Sequence, residues 1–340
     1  MRYVAVLLLS SLSVSTLAHH SRVQYDTATI REMSGEIVAV RWRNPHVMYT
    51  LRSSNDRGEE EDWNLEAGSI YMLGRTGITV NRVKVGDQVR VAGYISSRGG
   101  RDFYLTNVLL PSGQEVVMVP AAQPYWSDDA VGGKEQWSAN PALEAVARNA
   151  SRGIFRVWSM DRLGVRLTGS DRSSLPLTSQ ARDARAAFDP LEDDPVLDCI
   201  DPGMPRPMLG PHPVQFIDRG NEIELLIAEF DIRRTIRLGG NEIPQSIQPT
   251  KQGYSRGTWL GDTLEVHTSR VNWPFHDGVG TPQSLAVEMV ERFSLSDDKR
   301  RLNYEITVTD PPTFTEPVSR SRYWVDLGEP MEIYNCIAGK

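Results

Sequence analysis

The chain has 340 residues, 40% of them hydrophobic and 24% charged, with two cysteines and a formal net charge of −7 at pH 7. That length exceeds what one hydrophobic core usually organises and predicts two domains. Net acidity without a cluster of Lys and Arg excludes nucleic acid as the main partner, because phosphate binding needs concentrated positive charge.

Residues 1–18 read as a removable export signal. Arg2 is a minimal positive region, most of residues 3–17 are apolar, and Thr16-Leu17-Ala18 puts small residues at positions −3 and −1 of a cut after Ala18. The segment is too short and serine-rich to anchor a mature protein, and no later stretch reaches the roughly 18 apolar residues of a membrane helix. The expected location is the periplasm or the exterior of a bacterium, with no membrane span. The cut makes His19 the new N-terminus, followed by His20. An N-terminal histidine chelates through its amine and imidazole together, and one further imidazole completes a nitrogen set that suits Cu(II). His46 is the best-placed partner and His20 the substitute, so copper is the cofactor these residues raise. The alternative is a frayed terminus with His46 bonded to backbone at a strand end.

Residues 19–115 predict an OB-like, five-stranded barrel. Strands are expected at 35–42, 46–51 and 62–65, with the charged run 55–61 as a hairpin loop. Ser69 caps a short helix ending before Gly74, Val85-Gly86-Asp87 turns into a fourth strand, and 103–110 makes the fifth. A helix between the third and fourth of five strands is the OB order. Residues 116–152 lack a convincing period and read as a linker with a short helix at 141–149.

Residues 153–340 predict a lipocalin-like, up-and-down antiparallel β-barrel, which makes the whole protein all-β. A first strand is expected at 153–158, then a proline-rich irregular wrap at 171–213, then strands at 222–230, 232–238, 256–260, 263–269, 285–295, 301–309 and 319–325. Cys199 and Cys336 have no neighbours at metal-ligand spacing, and pairing with each other is the simplest reading for an exported chain, against two buried thiols. Alternation puts Glu229, Arg234 and Glu291 on apolar inner faces. They form either a structural ion-pair cluster or the polar anchor of a ligand pocket, because an isolated buried ion is too costly. His276-Asp277 follows Trp273-Pro274-Phe275 in a loop, where an aromatic wall beside a His and a carboxylate offers ligand binding or acid–base work. Gly253-Tyr254-Ser255-Arg256-Gly257 lies between strands and lacks the elbow of a serine hydrolase.

His19-His20-Ser21, Trp42-Arg43-Asn44-Pro45-His46, Trp63-Asn64-Leu65-Glu66 and Val85-Gly86-Asp87-Gln88-Val89 together resemble a bacterial exported domain of unknown function. Cys199, Pro202-Gly203-Met204-Pro205-Arg206, the run from Gly257 to Leu264, Glu291-Arg292-Phe293 and Thr309-Asp310-Pro311 resemble a second uncharacterised exported family, whose pattern carries His where this chain has Tyr254 and Gln283. The resemblance implies no known activity. Three functions follow from the residues. The first is binding of a small, partly apolar molecule in the second barrel without catalysis. The second is a periplasmic copper protein or copper-dependent enzyme using His19. The third is an interaction module presenting Tyr49, Trp63 and Tyr94 on the OB-like face.

Overall fold

The computed structural model describes residues 24–120, 122–133, 139–149, 153–161, 168–169, 175–190, 192–239, 244 and 246–337. The expected signal, His19 and His20 lie outside the described residues. Alternating apolar side chains build the first barrel from β1 (Arg31–Arg41), β2 (Met48–Ser54), β3 (Glu60–Glu66), β4 (Gln88–Ile95) and β5 (Asp102–Leu109), with α1 (Ile70–Arg75) between β3 and β4. The order is β3-β2-β1-β4-β5, and β3 returns onto β5 as a parallel pair from Asn64–Asp102 to Glu66–Tyr104. This is the expected OB arrangement. Closure bends β1 and β4 sharply where glycines permit close backbone approach. A Cβ on Gly35 would lie 2.1 Å from Arg52 O, and one on Gly93, at a bulge in the β4–β5 ladder, 2.0 Å from Tyr104 O. Met72 N donates to Ser69 Oγ, capping α1 as the sequence predicts, and Leu73 is fully buried beneath it.

The first sheet extends further than expected. Within the stretch read as linker, β6 (Glu115–Val117) and β7 (Ala130–Gly132) continue it beside β5. One carboxylate anchors this extension, beside Val116 and Met118 of the first barrel's core. Buried Glu115 accepts hydrogen bonds from Asn107 Nδ2 (2.6 Å) and from the backbone N–H groups of Tyr125, Trp126 and Ser127 (2.6, 2.7 and 2.9 Å). That clamp folds the proline-containing segment back on the barrel.

After α2 (Pro141–Asn149), a second sheet contains β8 (Val157–Trp158), β9 (Thr168–Gly169), β10 (Val214–Asp218), β11 (Glu222–Ile227), β12 (Ile232–Leu238), β13 (Tyr254–Leu260), β14 (Thr263–Ser269), β15 (Glu288–Leu295), β16 (Arg301–Thr309) and β17 (Val318–Val325). Their order is β8-β10-β11-β12-β13-β14-β15-β16-β17-β9. Ser159 and Val325 exchange two backbone hydrogen bonds, at 2.8 and 2.9 Å, bringing the end of β8 against β17 and nearly closing the barrel. The expected barrel is therefore present, with one departure from a strict meander. β12 and β13 run parallel, in register from Ile236–Ser255 to Leu238–Gly257. The wrap contains α3 (Ser179–Ala187), capped by Thr178 Oγ1 on Ala181 N (3.2 Å). Cys199 and Cys336 are disulfide-bonded across 137 residues. No helix among the described residues is long and apolar enough to cross a membrane.

Gly93→Ala should destabilise the first barrel by about 1–3 kcal/mol, because the added methyl meets backbone instead of a movable side chain. Gly74→Ala, a helical position open around its Cβ, should stabilise by about 0.5–1 kcal/mol. Urea denaturation of both variants checks the contrast.

Candidate functional site

The inner face of the second barrel brings Arg234 and Glu291 together, as the alternation predicts. Arg234 Nη1 donates to Glu291 Oε1 (2.9 Å), Nη2 to Glu291 Oε2 and to Thr268 Oγ1 (2.6 Å), and Nε to Ser255 Oγ (3.0 Å). Tyr304 OH also donates to Glu291 Oε1 at 3.0 Å. Burial would lower the Arg234 pKa, but the facing Glu291 outweighs it and holds the guanidinium charged; burial and then Glu291 push the Tyr304 phenol well up. Each nitrogen of the guanidinium and both carboxylate oxygens are engaged within the cluster. Trp158, Phe216, Phe293, Tyr304 and Trp324 fill the surrounding core. The sequence raises a structural ion-pair cluster and a pocket's polar anchor as alternatives; here the pair satisfies its own hydrogen bonds inside packed aromatics. Tyr304 was not singled out from the sequence, although it continues the alternation of Leu302, Ile306 and Val308.

Glu229 does not join this cluster. β11 ends at Ile227, and the chain turns through Phe230 and Asp231, both at positive φ (58° and 53°). The turn carries Glu229 to the boundary with the first barrel, where its Oε1 lies 3.5 Å from His212 Nε2. His212 is buried, and burial lowers its pKa below the ordinary 6.5; Glu229 opposes the shift while Arg322 and His46 reinforce it. Burial also brings the Arg322 pKa down to about 10. His46 comes from the first barrel, with Nδ1 2.6 Å from Glu66 Oε1, and Tyr25 OH donates to Glu66 Oε2 at 2.9 Å. Two imidazoles, one per barrel and each beside a carboxylate, thus approach across the boundary.

Beside them the two barrels and the C-terminal segment enclose a cleft of about 230 Å³. The first barrel supplies Trp42, Arg43, Asn44, Ile70 and Tyr71; the second supplies His212, Pro213 and Ala228; the terminal segment supplies 332–335 and Ile337. Asn44 organises the junction. Its Nδ2 donates to Tyr334 O (2.7 Å), its Oδ1 accepts from Ile70 N (3.2 Å) and its backbone O accepts from Ile337 N (3.4 Å). The Tyr334 ring stands edge-on to His212, with centroids 5.6 Å apart. A larger hollow of about 460 Å³ lies between α2 and the 326–331 segment. Its charges are paired with each other, Arg156 with Asp326 and Glu329 with Arg75.

The remaining predicted residues lie elsewhere. His276 and Asp277 are both buried. Asp277 accepts from Val279 N (3.1 Å), Thr281 N (3.1 Å) and Thr281 Oγ1 (2.9 Å), so its carboxylate shapes its own loop. Burial alone would raise its pKa, but His276 and the Thr281 hydrogen bonds hold it below the usual carboxylate value. Of the three aromatics expected on an exposed face, Tyr49 is a core residue, Trp63 packs partly against that core, and Tyr94 stacks on Tyr104 at 6.5 Å. Among the described residues, no group of three or more His, Cys, Asp or Glu is arranged to hold a metal.

Over residues 6–103 the chain matches the model of a family of unknown function, DUF6152. No curated protein matches it. Among solved structures, the mitochondrial single-stranded DNA binding protein Rim1 of S. cerevisiae is 14% identical, over 24% of this chain and 94% of that one, with a TM-score of 0.19. A likeness that slight carries no argument.

Glu291→Gln should destabilise the second barrel by about 3–5 kcal/mol, since it strands the Arg234 charge, and Arg234→Met with Glu291→Leu should recover most of the loss. Guanidinium denaturation of the single and double variants tests this. His212 contributes stability that is fully present above its ordinary 6.5 and lost as pH falls through its lower folded-state value. The loss of Tm between about pH 7.5 and pH 5 should therefore be smaller in His212→Gln than in the parent protein.

Proposed function

We propose that this is an exported, non-catalytic binding protein that holds a small, mostly apolar, planar molecule between its two barrels. The cleft carries this reading. Its aromatic walls, Trp42, Tyr71 and Tyr334, come from the first barrel and the terminal segment, and the second barrel adds the imidazole of His212 at one side. At about 230 Å³ it exceeds the ~150 Å³ of an apolar cavity that accepts benzene, and boundaries between domains are where small-molecule sites tend to form. The disulfide supports export, since such bonds persist in oxidising compartments. The barrel interior, the first place to look from the sequence, is a poorer host because its charges already satisfy each other.

Saturation-transfer NMR with indole, benzoate and p-cresol tests the proposal. Indole should bind the oxidised protein, and Ile333→Asp should weaken it about fivefold or more. Ile333 lines the cleft yet is 82% exposed, so its replacement leaves the core intact. Equal binding by both proteins, or none to the parent, would refute the site.

A second reading is a copper protein in which a mature N-terminal His19 joins His46. One observation favours it: the His46–Glu66–Tyr25 hydrogen-bonded chain orients an imidazole as carboxylates do behind metal ligands. Protein exported to a periplasm in copper-supplemented medium should then start at His19 and hold about one copper per chain, lost in His46→Ala. Correctly cut protein free of copper would rule the reading out.

A further inference from the structure

We infer that the cleft is gated by the redox state of the Cys199–Cys336 disulfide, an inference that rests on the binding reading above. After β17 the chain is anchored by Asp326 on Arg156 and by Glu329 on Arg75 and Ser159 Oγ (3.1 Å). Beyond those anchors, residues 332–337 form the outer wall of the cleft. Tyr334 N and Asn335 N donate to the Asp231 carboxylate (2.9 and 3.0 Å), and Asn44 holds Tyr334 O and Ile337 N. Only Tyr334 is buried, at 7% exposed, whereas Ile333 and Ile337 face outward. A segment that buries only one large side chain opens readily unless it is tied down. Here the covalent tie is Cys336, placed between two cleft residues and bonded to the wrap at Cys199.

Both cysteines are half-buried, and their neighbours Ile200 and Ile337 are exposed. An attacking thiolate can therefore reach the bond. The reductant is a dithiol. One of its thiolates attacks a protein sulfur, forming a mixed disulfide and expelling the other cysteine as thiolate; its second thiol then displaces the protein. Two electrons pass to the cysteine pair, the dithiol ends as a disulfide, and Cys199 and Cys336 take up two protons as thiols. The wall is then held by hydrogen bonds and Tyr334 alone, so opening becomes easier and a bound molecule leaves faster. Oxidation re-forms the wall.

Hydrogen exchange read by mass spectrometry, with and without dithiothreitol, tests the gate alongside indole titration of both forms. Residues 332–337 should exchange about tenfold faster or more after reduction, with β15 and β16 unchanged and indole bound more weakly. The double variant Cys199→Ser/Cys336→Ser should match the reduced protein without any reductant. Unchanged exchange at 332–337 in both would overturn the gate. So would equal acceleration in β15 and β16, because the bond would then hold the whole barrel. If indole fails to bind the oxidised protein, the binding reading falls, while exchange at 332–337 still decides whether reduction frees the segment.

Discussion

Asn44 ties the terminal segment to the first barrel. One side chain and one carbonyl connect two pieces, the start of α1 through Ile70 N and the terminal segment through Tyr334 O and Ile337 N. Asn suits the position because its amide offers a donor and an acceptor in one plane. Removing either would strand a backbone group in a buried junction, where desolvation without a partner costs on the order of 1–3 kcal/mol. The disulfide sits beside this contact, so covalent and polar restraints converge on one place. Those restraints fix the terminal segment as one wall of the cleft.

The interior of the second barrel shows the opposite use of polarity. Arg234 and Glu291 are buried, yet their mutual hydrogen bonds and those of Ser255, Thr268 and Tyr304 leave no guanidinium nitrogen or carboxylate oxygen without a partner. Such a pair is expensive to break and contributes little net stability when whole. Its effect is on register: one-residue slips of β12 or β15 would send a charge to the wrong face. His212 is different, because its neighbours Glu229, Arg322 and His46 act on it in opposing directions.

Much of the architecture was legible because it is written in local periods. Five short strands with a helix after the third predicted the first barrel, and alternation along β12 and β15 placed Arg234 and Glu291 inside. Two cysteines in a chain expected to be exported predicted their bond. Where one side chain overrode a period, prediction failed. Glu115 anchors β6 and β7 within an apparent linker, and the positive-φ turn at Phe230 and Asp231 removed Glu229 from the barrel face. The interaction-module reading needed Tyr49 exposed, and its alternation with buried Leu51 could have placed it in the core. The cleft was illegible for a further reason. Its walls come from residues 42–44, 70–71, 212–213, 228, 332–335 and 337, and no periodicity links segments so far apart.

The central claim is that the space between Trp42 and Tyr334 is where this protein holds its ligand. A crystal structure of the oxidised protein grown with indole addresses it most directly. The account predicts a ring bounded by Trp42, Tyr334 and His212, with the Arg234–Glu291 cluster undisturbed. A ring seated inside the second barrel, or an empty cleft at saturating indole, would contradict it.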